Sequence, residues 1–324
     1  RRPRDGDGDG DAAAAEGSRL RPPRPGPVRP VVMAPRIVPP SSGRAGVVAG
    51  RAVHDRDDRQ PELLVDEVGI AYGRFGDLVL KSSYQPLYGV EGDWLQPFGV
   101  EALVTGMRGR ASVRPDEIFG LVDGTRRAAL EELCRMLHVR NHHNMGLPGM
   151  QLFFNVDPGF TGDDVEHLAW MLAEEGVAPE LVTCEITEQA GNDARLLVLA
   201  RELRAIGVRL AVDDFGAGHS TAERVRVLRP DTVKIDAAWF RAVVARPTAL
   251  RMLPALFARL GDLGCAILVE GIETPRQLSA AVNAGADLLQ GYLLARPALA
   301  GTIIDESSLL IRDLIGGGEP AARR

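Results

Sequence analysis

Residues 210–216 read Leu-Ala-Val-Asp-Asp-Phe-Gly, so two acids follow directly on a short apolar run. A run of this kind, preceded by Gly207 and followed by a glycine-rich segment, is typical of a buried strand in a parallel sheet. Asp213 and Asp214 place two charges at the carboxyl end of that strand. The segment 215–219, Phe-Gly-Ala-Gly-His, has the backbone freedom to flex over a ligand. The stretch therefore predicts a strand whose carboxyl end takes part in binding or chemistry.

The same pattern of an apolar run, a polar residue at its end and a helical stretch recurs along most of the chain. Such alternation predicts parallel strands joined by crossover helices, and we expect an α/β fold of the (β/α)8 TIM-like barrel class. The predicted strands are Phe98–Val100, Leu152–Phe154, Leu181–Cys184, Leu210–Val212, Thr232–Val233, Ala266–Val269 and Leu288–Leu289. The polar residues that end them are Glu101, Asn155, Glu185, Asp213, Lys234, Glu270 and Gln290. Because the carboxyl ends of barrel strands meet at one rim, we expect these side chains to converge.

The helices between the strands carry recognisable start and stop signals. Thr274 offers an N-cap, Pro275 suits the first helical position, and Gln277 completes a capping box. Gly285 is placed to end that helix in a left-handed conformation.

Composition limits the class of protein. The chain has 324 residues, 45% hydrophobic and 25% charged, which is enough apolar material for one large core. A formal net charge of −6 argues against a protein that wraps DNA. No stretch approaches the roughly 20 apolar residues that cross a bilayer, and the first residues do not form a secretory leader, so a cytoplasmic location is expected. Three widely spaced cysteines, Cys134, Cys184 and Cys265, predict buried free thiols.

We expect three segments. Residues 1–61 are dominated by Arg, Pro, Gly, Asp and Ala, which cannot bury enough apolar surface to offset their ordering entropy. This predicts a disordered tail, with contact of its arginines to an acidic partner or a membrane as the alternative. Residues 62–305 are predicted to form the barrel, and residues 306–324 the end of a C-terminal helix and a frayed tail.

The acids at the predicted rim point to a metal site. Glu101, Glu185, Asp213, Asp214 and Glu270 would bring five carboxylates together. Like charges at close range repel unless they are protonated or bridged by cations. With the Asn155 amide the donors are all oxygen, which suits Mg²⁺ or Mn²⁺ better than zinc. The alternative is that each acid caps a helix or pairs with a surface arginine.

Lys234 lies in Val-Lys-Ile-Asp at residues 233–236, with apolar neighbours on both sides. Its amine is therefore expected in the barrel mouth, where it can hold a nucleophilic water or stabilise phosphoryl oxygens. The alternative is a structural ion pair with Asp236.

Three histidines cluster in residues 137–143, at His138, His142 and His143. We interpret them as the polar face and the C-terminal end of a helix that begins near Asp116, since the helix dipole favours histidine there. A second metal site is the alternative.

Seven motifs in this order resemble the EAL domain family of cyclic-di-GMP phosphodiesterases, over about residues 84–297. They are Glu101-Ala102-Leu103, preceded by Tyr84-Gln85-Pro86, then Asn155-Val156, Glu185-Ile186-Thr187-Glu188, Asp213-Asp214-Phe215-Gly216, Lys234-Ile235-Asp236, Glu270-Gly271-Ile272-Glu273-Thr274 and Gln290-Gly291-Tyr292.

The resemblance implies a barrel with one antiparallel strand, and hydrolysis of one phosphodiester of cyclic di-GMP to linear pGpG with two Mg²⁺ or Mn²⁺ ions. It implies metal ligands at Glu101, Asn155, Glu185, Asp213, Asp214 and Glu270, and catalytic roles for Lys234, Glu270 and Asp236. It implies substrate-binding or loop-anchoring roles for Gln85, Leu103, Glu188, Glu273 and Gln290. Family members often dimerise through the barrel, so a homodimer is a further expectation.

Three positions depart from the family pattern. Thr105 stands where active members carry an arginine for a substrate phosphate, and Arg108 and Arg110 are candidate substitutes from the same loop. Asp157 and His219 replace the usual serine and tyrosine. Two alternatives to an enzyme therefore remain: a cyclic-di-GMP receptor without useful turnover, and a protein-interaction module. The retention of so many repelling acids argues against the latter.

Overall fold

The computed structural model of the chain describes residues 61–316, apart from residues 121, 123, 145–148, 158, 187–192 and 218–221. Its strands are β1 (Glu62–Val65), β2 (Ala71–Phe75), β3 (Leu78–Glu91), β4 (Trp94–Arg108), β5 (Ala111–Val113), β6 (Gln151–Val156), β7 (Val182–Ile186), β8 (Arg209–Phe215), β9 (Thr232–Ile235), β10 (Ala266–Val269), β11 (Leu288–Leu289), β12 (Ala298–Leu299) and β13 (Leu309–Leu310). Its helices are α1 (Pro115–Gly120), α2 (Gly124–Asn144), α3 (Gly162–Glu174), α4 (Asp193–Ala205), α5 (Ala222–Leu228), α6 (Ala237–Val244), α7 (Pro247–Leu250), α8 (Leu253–Gly261), α9 (Pro275–Ala284) and α10 (Ile311–Ile315). None of the helices in these described ranges is long and apolar enough to cross a membrane.

Eight of the strands close into a barrel. From β4 through β6, β7, β8, β9 and β10 to β11, each neighbouring pair is parallel. β3 closes the ring by pairing antiparallel with both β4 and β11. The predicted (β/α)8 TIM-like barrel with one antiparallel strand is therefore confirmed.

The local signals in the sequence have the predicted structural effects. Thr274 and Gln277 form the reciprocal capping box of α9, and Gly285 ends that helix at φ 89°. The three cysteines are buried and free. β10 and β11 coincide with their predicted runs, while β6, β8 and β9 continue past theirs, so that Asn155, Asp213 and Lys234 lie inside their strands.

The interior of the barrel explains why polar side chains meet at one end. Side chains alternate between the two faces of a strand, so residues two positions apart face the same way. An apolar cluster inside the ring is formed by Leu87, Phe153, Ala211, Leu268 and Leu288. Two positions further toward the carboxyl rim lie Gln85, Asn155, Asp213, Glu270 and Gln290. A layer of polar side chains at the carboxyl end of the barrel therefore lies directly on a layer of apolar side chains in its interior.

An extension of the barrel sheet, here called the second sheet, projects from the barrel and was not predicted from the sequence patterns. β3 and β4 are 14 and 15 residues long and run on beyond the ring. There they pair with β2 and β5, and β1 adds to β2. A separate apolar core lies between this sheet and the helices α1 and α2, formed by Ala71, Phe75, Leu78, Leu80, Val113, Ile118, Leu130, Leu133, Cys134 and Leu137.

The prediction that one helix runs from Asp116 through the histidine segment is wrong. α1 ends at Gly120, and α2 is a separate helix that begins at Gly124. The polar-face interpretation is also wrong for His138 and His142, which are 6% and 4% exposed.

The burial follows from the second sheet. α2 packs on both cores, with Leu137 in the smaller one and Val139 in the main one, so His138 between them is buried, whereas Arg140 and His143 remain accessible to solvent. Nδ1 of His138 lies within hydrogen-bond distance of the Ser82 hydroxyl, at 2.9 Å. The Asn141 amide forms two hydrogen bonds with the backbone of Ala71.

Candidate functional site

Lys234 lies at the centre of the polar layer, on β9, with its side chain 1% exposed. Its Nζ is 2.8 Å from Oε2 of Glu185 and 2.8 Å from Oε1 of Glu270. Oε1 of Glu101 and Oδ1 of Asp213 follow at 3.2 Å and 3.3 Å. The strands β4, β7, β8 and β10 thus each deliver one carboxylate to a single ammonium group.

The electrostatics of this cluster favour additional positive charge. Burial lowers the pKa of Lys234, but the four carboxylates outweigh burial and hold that pKa well above its usual value. Burial raises the pKa of Glu185 well above its usual value, with Glu101 and Asp213 adding to the rise. Burial likewise raises the pKa of Glu270 to about 8. One ammonium is insufficient to stabilise four neighbouring carboxylates in their ionised form.

Glu185 shows the imbalance most directly, because its side chain is completely buried. Its Oε2 has the 2.8 Å contact with Nζ of Lys234, whereas Oε1 has no hydrogen-bond partner among the residues that the structure describes. A buried carboxylate oxygen without a partner is costly, and a cation in contact with Oε1 would stabilise it.

The donor chemistry fits Mg²⁺ or Mn²⁺, although the side chains are not arranged around such an ion. Across the described part of the chain, no group of three or more His, Cys, Asp or Glu side chains is placed to hold a metal. The point on which the four carboxylates converge is occupied by Nζ of Lys234. The set is nevertheless all oxygen and carries surplus negative charge, which is what hard divalent cations neutralise.

Two glutamines flank the carboxylate of Glu101. The side-chain amide of Gln290 donates to Oε2 of Glu101 at 2.7 Å. Gln85 is the cross-strand partner of Glu101 between β3 and β4, and its amide donates to the carbonyl oxygen of Ala295 at 3.3 Å. Both predicted glutamines therefore lie at the site.

A backbone irregularity separates the two adjacent aspartates. Asp214 has φ 54°, a left-handed conformation that is uncommon outside glycine, and the pairing of β8 with β9 shifts register between Val212 and Phe215. Oδ1 of Asp213 accepts a hydrogen bond from the Asp214 N–H at 2.9 Å. Asp213 consequently contacts Lys234, while Asp214 lines a neighbouring cavity.

This cavity has a volume of about 640 Å³ and lies between the rim and the helices α1 and α2. Leu103, Asn155 and Asp214 line its barrel side. Three of the predicted site residues therefore share the cavity, whereas the four carboxylates surround Lys234.

Two of the predicted residues, Asp236 and Glu273, have other surroundings. The carboxylate of Asp236 caps α6 by accepting a hydrogen bond from the Trp239 N–H at 2.7 Å. Glu273 pairs with Arg241 at 3.3 Å on the surface. Glu188 lies outside the described residues, as does much of the glycine-rich turn that it was expected to anchor.

The expectation that a loop follows Glu101 is wrong, because β4 continues to Arg108 along its partner β3. The hydroxyl of Thr105 lies 3.3 Å from that of Ser83. Arg108 pairs with Asp77 at 2.8 Å, about 20 Å along the strand from Glu101, so it does not replace the missing arginine.

Sequence reasoning missed the contribution of α2 to the cavity. Arg127, Glu131 and Arg135 are spaced four residues apart and line the wall opposite Asn155. Burial raises the pKa of Glu131 to about 7, the nearby Asp157 adds to the rise, and Arg127 opposes it. The four-residue spacing was the available signal, but it also occurs on exposed helix faces.

The fold and the site together define a TIM-like barrel protein with a carboxylate–lysine centre at the carboxyl rim of its strands. Residues 79–297 match the family model of the EAL domain, and the chain belongs to the EAL domain family.

Two relatives from Pseudomonas aeruginosa are named cyclic di-GMP phosphodiesterases. NbdA is 30% identical over 186 residues, which cover 56% of this chain and 23% of NbdA. RocR is 32% identical over 157 residues, 47% of this chain and 40% of RocR. The matches thus span less than half the length of either relative. The structure of Klebsiella pneumoniae BlrP1 in a manganese and cyclic-di-GMP complex is similar at a TM-score of 0.62 and 27% identity, covering 68% of this chain and 56% of that one.

Proposed function

We propose that this chain hydrolyses one phosphodiester bond of cyclic di-GMP to linear pGpG with two divalent cations, Mg²⁺ or Mn²⁺. The observation that carries the proposal is the convergence of four carboxylates on buried Lys234 at the rim of an EAL-family barrel. NbdA and RocR are named for this activity, and the similar BlrP1 structure contains manganese and the dinucleotide.

The residues that would hold the ions are Glu101, Asn155, Glu185, Asp213, Asp214 and Glu270. Bound there, the ions would polarise the phosphoryl oxygens and lower the pKa of a water molecule. A cation that contacted Oε1 of Glu185 would leave the 2.8 Å contact of Oε2 with Nζ of Lys234 in place.

Lys234 would act directly in the proposed reaction as a hydrogen-bond donor. Its ammonium has three N–H donors, and its raised pKa keeps it charged, so it orients the attacking water and stabilises negative charge on the phosphoryl group. Asp236 acts on Lys234 indirectly, because it caps α6 and thereby fixes the end of β9. Gln290 holds the Glu101 carboxylate in place.

The test is conversion of cyclic di-GMP to pGpG by purified full-length chain, followed by chromatography across a titration of Mg²⁺ and of Mn²⁺. Lys234→Ala and Glu101→Ala are expected to reduce the rate at least about 100-fold. Glu223→Gln, which removes a surface carboxylate paired with Arg226, is the control and should retain the rate. The absence of pGpG after prolonged incubation at every metal concentration would overturn the proposal.

A receptor that binds cyclic di-GMP without useful turnover is the second candidate. It is favoured by Thr105 and by the closure of the carboxylates on Lys234. The same experiment separates the two, since a receptor would bind the dinucleotide and release no product.

A further inference from the structure

Helix α6 begins at the carboxyl rim, between the chain segments that follow β8 and β10. It follows β9, and β9 pairs in parallel with both of these strands. Asp213 and Asp214 lie at the end of β8, and Glu270 directly follows β10. The first turn of α6 is therefore flanked by segments that carry three of the proposed metal ligands.

A tight turn begins at Asp214. Its carbonyl oxygen accepts a hydrogen bond from the Ala217 N–H at 3.1 Å, and Gly216, the third residue of the turn, has φ 105°. A positive φ at this position of a β-turn favours glycine. Asp214 itself has φ 54°, and unfavourable backbone conformations of this kind persist where the surrounding structure holds them.

The side chain of Trp239 on α6 supplies such a contact. A Cβ built on Gly216 would lie 2.6, 2.7 and 2.9 Å from three ring atoms of the Trp239 indole, so the ring packs directly on this glycine. The N–H of Trp239 donates to Oδ1 of Asp236 at 2.7 Å, and the Asp236 N–H donates to the carbonyl oxygen of Phe215 at 3.2 Å. The start of α6 thus holds the turn both through its backbone and through the indole.

Ala237 makes a similarly close contact with the segment after β10. A Cβ built on Gly271, which follows Glu270 and has φ 64°, would overlap with Cβ of Ala237. The Glu270 N–H also donates to the carbonyl oxygen of Ile235, the last residue of β9, at 3.3 Å. One turn of helix therefore contacts both ligand-bearing segments at a glycine.

We propose that Trp239 and Ala237 are positioning residues for metal binding. The indole of Trp239 holds the turn at Gly216, and thereby the position of Asp214 at the rim. The small side chain of Ala237 lets Gly271 approach α6, and thereby sets the position of Glu270. Neither side chain carries a group that binds a cation. The proposal rests on the proposed function, because it takes Asp214 and Glu270 as ligands.

The test measures Mn²⁺ binding in the absence of substrate, by titration calorimetry on the full chain. Trp239→Ala removes the indole and leaves every proposed ligand, and we expect the Kd for Mn²⁺ to rise about 10-fold. Trp239→Phe keeps an aromatic ring near Gly216 and should remain within about threefold of the unmodified chain. Trp170→Ala removes an indole that is 56% exposed on α3, and this matched control should leave the Kd unchanged.

Hydrolysis of cyclic di-GMP gives a second measurement. In Trp239→Ala we expect the rate at low Mn²⁺ concentration to fall about 10-fold, and saturating Mn²⁺ to restore it to within about threefold, because the ligands themselves are intact. A side chain that serves stability alone would lower the melting temperature without changing the Kd for Mn²⁺.

Two further variants test the contacts from both sides. The added methyl group of Gly216→Ala would press on the indole, so this substitution should raise the Kd for Mn²⁺ by a smaller factor in a Trp239→Ala background than in the unmodified chain. Ala237→Val enlarges the side chain that meets Gly271, and we expect it to raise the Kd about 10-fold.

Melting temperatures identify variants that have lost the fold; if Trp239→Ala is one of them, Trp239→Leu takes its place in each comparison. An unchanged Kd in folded Trp239→Ala, or an equal effect of Gly216→Ala with and without the indole, overturns the role of Trp239. An unchanged Kd in folded Ala237→Val overturns that of Ala237. If the unmodified chain binds Mn²⁺ and releases no pGpG, the proposed function fails while the Kd values still decide the inference. If it binds no Mn²⁺, both fail.

Discussion

The amide of Gln290 donates a 2.7 Å hydrogen bond to Oε2 of Glu101, across 189 residues of sequence. The bond joins the end of β11 to β4, on either side of the antiparallel strand β3. The other oxygen of Glu101 lies 3.2 Å from Nζ of Lys234. Glu101 is therefore oriented from both sides before any ligand binds.

Removal of this amide should weaken metal binding. In Gln290→Ala the Glu101 carboxylate loses one of its two contacts, and we expect the Mn²⁺ concentration for half-maximal hydrolysis to rise about 10-fold to 100-fold. The measurement is the rate of pGpG formation against Mn²⁺ concentration. Asn283→Ala, at an exposed position on α9, is the control. An unchanged Mn²⁺ dependence would show that the hydrogen bond does not support a metal ligand.

Bound metal should also stabilise the fold. We expect the Glu185 carboxylate to account for the largest share of that stabilisation. We expect the melting temperature to rise with Mn²⁺ and to fall with a chelator; at 100 times the Kd the stabilisation is about 2.7 kcal/mol. Glu185→Gln keeps the shape and removes one buried negative charge. It should be more stable than the unmodified chain in chelator and should gain less from Mn²⁺.

Glu223→Gln serves as the matched control, since it removes a carboxylate from the surface. An equal response to Mn²⁺ in Glu185→Gln and in the unmodified chain would rule out Glu185 as a ligand. Calorimetry or circular dichroism is sufficient to measure all three proteins.

The barrel was predictable because its signal is local. Ala266–Val269 and Leu288–Leu289 are short apolar runs between helical stretches, and they coincide with β10 and β11. The second sheet was not predicted, although two-residue hairpin loops mark it. Phe75 pairs with Leu78, and Arg108 with Ala111, across loops in which Gly76 and Gly109 both have φ 61°.

The site was predictable as a set of residues, whereas its internal arrangement depends on tertiary contacts. The strand pattern brought Glu101, Glu185 and Lys234 to one rim. The different directions of Asp213 and Asp214 depend on the register shift of β8, which no local pattern encodes. The burial of Arg135 beside the cavity depends on the second sheet, because the neighbouring Leu133 and Cys134 of α2 pack into its apolar core.

Buried His138 should make the stability of the protein depend on pH. Burial and the neighbouring Arg135 lower the pKa of His138 from 6.5 to about 3, while the unfolded chain retains the ordinary value. The unfolded state therefore binds the proton first, so His138 leaves the free energy of unfolding unchanged above pH 6.5 and lowers it as the pH drops toward 3. The loss is about 1.4 kcal/mol for each pH unit within this window.

The measurement is denaturant unfolding between pH 7.5 and 5, comparing the unmodified chain with His138→Gln. The variant should lose about 2 kcal/mol less between pH 6.5 and 5, since it has no imidazole to protonate. His143→Gln, at an exposed position of the same helix, is the control and should retain the pH dependence of the unmodified chain. Equal slopes for all three proteins would show that His138 titrates normally in the folded state.

Gly291 should be intolerant of even a methyl group, because the chain passes Ile272 closely there. A Cβ at this position would lie 2.2 Å from the backbone N and O of Ile272, and its φ of 159° is outside the usual range of other residues. Backbone hydrogen bonds from the Ile272 N–H to Gln290 and from the Leu293 N–H to Ile272 hold the two segments together.

Gly291→Ala is therefore expected to lower the free energy of unfolding by about 3 kcal/mol and to displace Gln290 from Glu101, so that hydrolysis falls as well. Gly261→Ala is the matched control, because its Cβ would meet no atom within 4 Å at the end of α8. That variant should gain about 0.5–1 kcal/mol, since alanine has less backbone entropy to lose on folding. The measurements are denaturant unfolding and the rate of hydrolysis for both variants. If Gly291→Ala is as stable and as active as Gly261→Ala, the close approach to Ile272 does not position Gln290.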